Sequence, residues 1–182
     1  MAASLYPSIQ VGTQLALFLT NKPGSIAAAA DVISHAGVNI LALTTSDTVD
    51  HMVLRVVVDK PKTALIALES HGTLVIENEV ILLEGANRLG SLSTIANLLA
   101  AAKINIDYAY CATPSNSKQG LLVLKPSDVA AALKALNKAD LSRTGEKKFM
   151  AAAKARAELE KKAKASQAMP TKRAPLSARG RE

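Results

Sequence analysis

Asn21-Lys22-Pro23-Gly24-Ser25-Ile26 is answered 66 residues later by Asn87-Arg88-Leu89-Gly90-Ser91-Leu92. The segments downstream of the two hexapeptides also match. Val38-Asn39-Ile40 returns as Ile104-Asn105-Ile106 at the same offset, and Val58-Asp59-Lys60-Pro61 is matched loosely by Val123-Leu124-Lys125-Pro126 at an offset of 65. Three features in one order imply two copies of one unit. With only two copies, each long enough for several elements, a solenoid of short repeats is not expected.

Working outward from the first hexapeptide, residues 14–20 form a nearly continuous apolar run suited to a buried strand. Residues 21–24 break it. From Ser25 the apolar positions Ile26, Ala30 and Ile33 recur at helical spacing, with Ser25 placed to cap the first turn and Gly37 to end the helix. Residues 39–45 and 52–58 are then two strands of a hairpin around the polar segment 46–51. Pro61 suits the first turn of a second helix, Gly72 ends that helix, and a strand begins over 73–76. The second copy repeats the order. A strand is predicted at 80–83, a helix at 92–102 with Leu92, Ile95 and Leu99 inward, strands at 104–111 and 121–124, and a helix at 127–136. The last strand falls near 140–142, where the β signal is weak.

The order βαββαβ in about 70 residues is the ferredoxin-like arrangement, an antiparallel sheet with two helices on one face. The fold class is therefore α+β, two such units in tandem, spanning 10–78 and 79–142. A unit of this size has a marginal core, so the two are expected to pack together or add strands side by side, within one chain or across a dimer. Residues 143–182 form a basic low-complexity tail. Over 145–168 Ala, Lys and Glu predominate, which suits a lone, fraying helix, and Pro170, Pro175 and Gly180 mark a disordered end.

Composition narrows the function. Of 182 residues 49% are hydrophobic, which excludes a wholly disordered chain, while 3% aromatic content without Trp argues against a surface of stacked rings. Cys111 is the single cysteine, so no internal disulfide or multi-Cys zinc site exists, and a reducing compartment, the cytoplasm, is expected. No run of 18 apolar residues is present and the first basic residue is Lys22, so neither a membrane span nor a signal peptide is expected. The net charge of +7 is unevenly placed. Residues 1–142 hold 10 Lys and Arg against 11 Asp and Glu, and residues 143–182 hold 12 against 4.

The loops after the first strand of each copy are the sharpest candidates for chemistry. Gly24 and Gly90 permit close backbone approach, and the helix start beyond them offers N–H groups and positive potential to a carboxylate, while Asn21 or Asn87 can meet an ammonium or amide. Together these suit an amino acid. The same residues also suit a plain tight turn in which each Asn bonds locally. Lys22 and Arg88 occupy matching positions, either as solvated charges or as attractors of an anion.

Over residues 10–142 the chain resembles the ACT-domain family, in particular small stand-alone proteins of two ACT units. The resemblance rests on Asn-Lys-Pro-Gly-Ser-Ile after a strand, Gly-Val-Asn-Ile after the first helix, and Ile-Asn-Ile-Asp-Tyr-Ala-Tyr in the second copy. It implies a regulatory sensor without catalytic activity that binds an amino acid where units meet. Carried over by position, the ligand-binding residues are Asn21, Pro23, Gly24, Ser25, Ile26, Asn39 and Ile40, with Asn87, Gly90, Ser91, Leu92, Asn105 and Ile106 as second-copy counterparts. Leu89 departs from the pattern by standing where Pro is usual, which frees φ and restores a donor, so the second site is expected to be altered or lost.

Enzyme chemistry finds little support. His35, His51 and His71 are isolated, with no metal-ligand spacing, and read as turn or helix-surface residues. Cys111 sits in an apolar strand without a neighbouring base, and Tyr108 and Tyr110 alternate onto one sheet face as packing residues. Neither loop has the Gly-Lys-Ser/Thr ending of a nucleotide-binding loop, so no cofactor and no metal are expected. Two functions remain. One is a non-catalytic, homodimeric regulatory module for an amino acid or similar small ligand. The other is an interaction protein whose core dimerises while the basic tail binds nucleic acid or an acidic protein.

Overall fold

A computed structural model describes residues 6–113, 117, 119–139 and 141, together with 147, 151, 154, 155 and 158, which are helical. The elements are β1 (Ser8–Thr20), α1 (Ser25–His35), β2 (Ile40–Asp47), β3 (His51–Val58), α2 (Pro61–Ser70), β4 (Leu74–Ala86), α3 (Ser91–Ala101), β5 (Ile106–Ala112), β6 (Gln119–Pro126) and α4 (Val129–Lys138). All six strands join one antiparallel sheet in the order β2-β3-β1-β4-β6-β5. The tandem α+β organisation is present, with the added strands side by side in one chain.

The two halves share their central strands. β4 is one 13-residue strand where the sequence suggests two, and it runs through residues 78 and 79 without a break. Its first half lies beside residues 14–18 of β1 and completes the first four-stranded set. Its second half begins the second set, whose fourth place is taken by the start of β1, with Ser8 opposite Glu84 and Val11 opposite Ile81. The strand expected at 140–142 is thus replaced: Leu141 is not in a strand, and 140 and 142 lie outside the described residues. The tail end, 169–182, also lies outside them.

β1 and β4 are equal in length and 66 residues apart, as are the first residues of α1 and α3 and of β2 and β5. The third sequence match is corrected. Asp59 N–H bonds the Asn39 carbonyl and Ser127 N–H bonds the Asn105 carbonyl, so beyond the hairpin the offset is 68. Pro61 therefore corresponds to Val129, the first residue of α4, and Pro126 ends β6.

Alternation puts Leu15, Leu17, Ile81 and Leu83 on one sheet face, all fully buried under the helices. α1 and α2 cover the first half through Ala29, Ile33, Ala64 and Leu68; α3 and α4 cover the second through Ile95, Leu99, Ala132 and Leu136. Cutting one such Leu to Ala costs about 2–5 kcal/mol. The inward positions differ from the expected stripe, because Ile26 is 42% and Leu92 50% exposed. Both stand in the first turns of their helices.

α1 ends in a Schellman turn. Gly37 is at φ 67°, its N–H bonds the Ser34 carbonyl, and Val38 N–H bonds the Ile33 carbonyl. The second copy makes the same turn with Lys103 at φ 60°.

The helix-free face curls until the edge strands β2 and β5 meet. It encloses Ala42, Val57, Val80, Leu82 and Val123. A polar seam closes it. Gln14, fully buried on β1, donates from Nε2 to the Tyr108 hydroxyl at 2.8 Å and accepts from the Tyr110 hydroxyl at 2.9 Å. The Arg55 guanidinium lies 4.8 Å from the Tyr108 ring centroid and donates to Ser46 Oγ at 2.8 Å. Tyr108 and Tyr110 are packing residues on one face, as their alternation predicts.

Candidate functional site

Both loops adopt one backbone form. Gly24 is at φ 90° and Gly90 at φ 89°, each directly before a helix. Ser25 N–H bonds the Lys22 carbonyl and Ser91 N–H the Arg88 carbonyl, both at 3.2 Å, and the next turns close from Ala28 to Gly24 and from Thr94 to Gly90 at 2.9 Å. Gly24 is the N-cap residue, and its side-chain-free position caps nothing. This corrects the expectation for Ser25, which is already helical and places its Oγ 3.3 Å from Thr20 Oγ1. A Cβ on Gly24 would meet nothing within 4 Å, so the positive φ, not crowding, calls for glycine.

Asn21 is occupied locally. Its N–H bonds the Asp50 carbonyl at 2.9 Å and its Nδ2 donates to the Thr48 carbonyl at 3.0 Å, tying the loop to the β2–β3 turn. Lys22 and Pro23 are exposed beside it. Asn87 is exposed, and Leu89 is fully exposed without disturbing the loop's backbone. The loop form thus survives the exchange of Pro for Leu, because the residue before the glycine needs only to be accommodated, not to fix the turn.

Asn39 and Ile40 are not brought to the first loop. Ile40 pairs with Val58 while Thr20 at the loop pairs with His51, a separation of seven residues along β3, or about 23 Å. Asn39 N–H instead donates to the Asp59 carboxylate at 2.9 Å, and Ile40 packs against the helix-side core. Asn105 Nδ2 likewise donates to Asp107 Oδ1 at 3.0 Å, and Ile106 packs on the second core. Within the chain, each candidate site reduces to its loop and first helical turn: Gly24, Ser25 and Ile26, and Gly90, Ser91 and Leu92.

Each loop has a recess beneath it, and Leu19, Ser25 and Gly72 in the first correspond to Gly85, Ser91 and Tyr6 in the second. Under the second is a cavity of about 100 Å3 lined by Leu83, Gly85, Ser91, Leu92, Cys111 and Gly120, among others. Along α1 runs a wider groove of about 360 Å3 bounded by Thr20, Ser25, Val32, His71 and Thr73. Sequence reading missed both. The signal for the cavity is present in the repeat, since Gly85 and Gly120 face each other across β4 and β6 where Leu19 and Met52 face each other across β1 and β3.

The remaining candidates have structural roles or plain surroundings. His35 Nδ1 lies 2.7 Å from the Asp31 carbonyl and His71 Nδ1 2.8 Å from the Ala67 carbonyl, and His51 is exposed on β3. Among the described residues no group of three or more His, Cys, Asp or Glu is gathered to hold a metal ion. Burial pushes the Tyr110 phenol well above its usual range, with Tyr108 adding to the effect and Arg55 opposing it. No helix among the described residues is long and apolar enough to cross a membrane.

A pair of βαβ-type units sharing one sheet, each with a glycine-led loop opening its first helix, defines a tandem α+β module of the ferredoxin-like class. The chain belongs to the ACT domain pair family, whose model matches residues 10–153. A protein from Bacteroides thetaiotaomicron is similar to it, with 26% identity and a TM-score of 0.67 over 71% of this chain and 89% of that one. The ligand-free regulatory subunit of aspartate kinase from Thermus thermophilus shares the fold at 18% identity and a TM-score of 0.55, over 73% of this chain and 97% of that one. No curated protein matches the sequence.

Proposed function

We infer that the protein is a non-catalytic regulatory module that binds an amino acid or similar small ligand at its ACT units. The observation that carries this reading is the twice-built loop, with glycine near φ 90° leading straight into a helix, in a member of a regulatory family. Helix N–H groups beyond the cap have no partner within the helix and face the side from which a carboxylate would come. The ligand regulates by binding one packing of the units better than another, and only that difference in affinity can shift the balance. A cytoplasmic homodimer, in which a second copy adds walls to the sites, belongs to the same proposal.

Thermal unfolding of the full chain with each of the twenty amino acids at millimolar concentration tests it. A ligand at about 100 times its Kd stabilises the native state by about 2.7 kcal/mol. A selective and saturable rise in midpoint supports the reading; a flat response to all twenty from a cooperatively folded protein refutes it. The tail supports a second reading, because 12 basic residues stand against 4 acidic ones over 143–182. Salt-sensitive binding of a polyanion that disappears on truncation after Ser142 is its expected signature.

A further inference from the structure

We propose that the polar seam on the helix-free face is a regulatory clasp, through which strand β5 of the second half holds the first loop, residues 21–24, in its observed form. The inference rests on the reading of that loop as a binding element and adds to it the means by which the other half controls it. The seam breaks the repeat. Gln14, Tyr108 and Tyr110 correspond to Val80, Ala42 and Thr44 at the offset of 66, and Arg55 corresponds to Val123 at the offset of 68 that holds beyond the hairpin. Ala42, Val80 and Val123 are buried members of the apolar cluster on the same face. The duplicated sheet therefore carries one seam where symmetry would give two, and that seam runs from β5 to the first half.

Every link of the route is short. The Gln14 amide meets the Tyr108 and Tyr110 hydroxyls at 2.8 and 2.9 Å, the Arg55 guanidinium lies 4.8 Å from the Tyr108 ring centroid, and Arg55 donates to Ser46 Oγ at 2.8 Å. Ser46 and Arg55 stand on the two arms of the β2–β3 hairpin. The turn of that hairpin carries the Thr48 and Asp50 carbonyls, which accept from Asn21 Nδ2 at 3.0 Å and from Asn21 N–H at 2.9 Å. Thr48 follows Ser46 by two residues and His51 precedes Arg55 by four, so the paired arms pass a displacement at the seam to the loop as one rigid element. Gln14 is fully buried, and a half-opened seam would leave its amide without partners, which favours two arrangements, made or broken. Beyond Tyr110 the strand reaches Cys111, which lines the recess beneath the second loop, so whatever fills that recess acts on the strand that makes the clasp.

Amide hydrogen exchange followed by NMR on the full-length protein tests the clasp without any ligand, so its outcome is separate from that of the amino-acid screen. Tyr108→Leu removes the ring and the hydroxyl together. It should speed exchange at least tenfold at the Asn21 and Thr48 amides, which bond the Asp50 and His51 carbonyls, while the Ser91 and Thr94 amides of the second loop change less than threefold. Leu136→Ala, which opens the second core away from the seam, should leave Asn21 and Thr48 within threefold of the unaltered protein. Because Tyr108→Leu can fail to fold, Asn21→Ala at an exposed position is the second variant. Coupling is reciprocal, so it should speed exchange of the Gln14 side-chain amide protons at least threefold. Equal acceleration at both loops in Tyr108→Leu, the same acceleration of Asn21 in Leu136→Ala, or unchanged Gln14 protons in Asn21→Ala would overturn the clasp and leave the amino-acid reading standing. The expected exchange pattern with a flat response to all twenty amino acids would support the link between the halves and overturn the loop's role as an amino-acid site.

Discussion

Replacing Gln14 by Met tests whether the polar seam holds the sheet's edges together. Gln14 is fully buried, and its amide spans from the central strand β1 to two hydroxyls on the edge strand β5. Met keeps the length and volume of the side chain, so no cavity opens and the change isolates hydrogen bonding. Each of the two bonds contributes about 1 kcal/mol net, and the half-buried Tyr110 hydroxyl loses its acceptor, which adds a desolvation cost within the range of about 1–3 kcal/mol. Tyr108 can turn toward water. The expected loss is about 2–3 kcal/mol, and at about 2–4 °C per kcal/mol for a chain of this size the midpoint falls by about 4–12 °C. Urea unfolding followed by tyrosine fluorescence reads it well, since the chain has no Trp and two of its three tyrosines lie at the seam. In a Tyr110→Phe background the same change should cost about 1 kcal/mol less, because the two groups share a bond. A loss below about 0.5 kcal/mol, or full additivity with Tyr110→Phe, would show that the edges meet for reasons other than this seam.

Three further outcomes concern single residues. Since burial raises the Tyr110 phenol, the native state keeps a proton that the unfolded chain gives up near pH 10, so the associated stability is complete below about pH 10 and declines above it. Urea midpoints should fall more steeply from about pH 9.5 to 11.5 in the unaltered protein than in Tyr110→Phe, and parallel profiles would contradict the assigned burial. Lys103→Gly should stabilise by about 0.5–1 kcal/mol in denaturant titrations, because a left-handed φ strains lysine and not glycine; a loss would mean that its side chain is held. Asp128→Ala should cost about 1 kcal/mol, since its carboxylate accepts from Ala131 N–H at 2.8 Å at the start of α4.

Much of the fold was legible because the repeat is strict where geometry is strict. From β1 through the start of β2, the turn at φ 90°, the helix and its Schellman end have one length in both halves, so the 66-residue offset in the sequence is the offset of the elements. It fails after the hairpin, where no register constrains the turn, and a shared Lys-Pro dipeptide mimics homology between a helix start and a strand end. The sharing of β1 and β4 was hidden for a different reason. Residues 77–79, Glu-Asn-Glu, read as a break, yet they cross from one half to the other opposite Leu15, Gln14 and Thr13, where both Glu side chains reach solvent. A strand that serves two units has no period of its own at the point of exchange. The loops were found from their glycines, whereas the cavity depends on a cross-strand pair, and pairing is a long-range property that a local reading does not supply.

The missing side chains at Gly85 and Gly120 leave the second half short of packing at its loop end, and exchanges of the Leu→Ala kind cost about 2–5 kcal/mol each. That half compensates from outside the repeat. Tyr6 and Leu141 are buried in its core, at the positions held in the first half by Gly72 and Thr73. Both come from segments flanking the sheet, before β1 and after α4, so their burial ties the ends of the described core to the cavity's surroundings. A tandem duplication begins with two equal halves, and equal halves have equal sites. Here the cross-strand pair beneath one loop is Gly85 with Gly120 and the flanking chain supplies Tyr6 and Leu141, while the other half has Leu19 with Met52 and a groove lined by Leu19, Ser25 and Gly72.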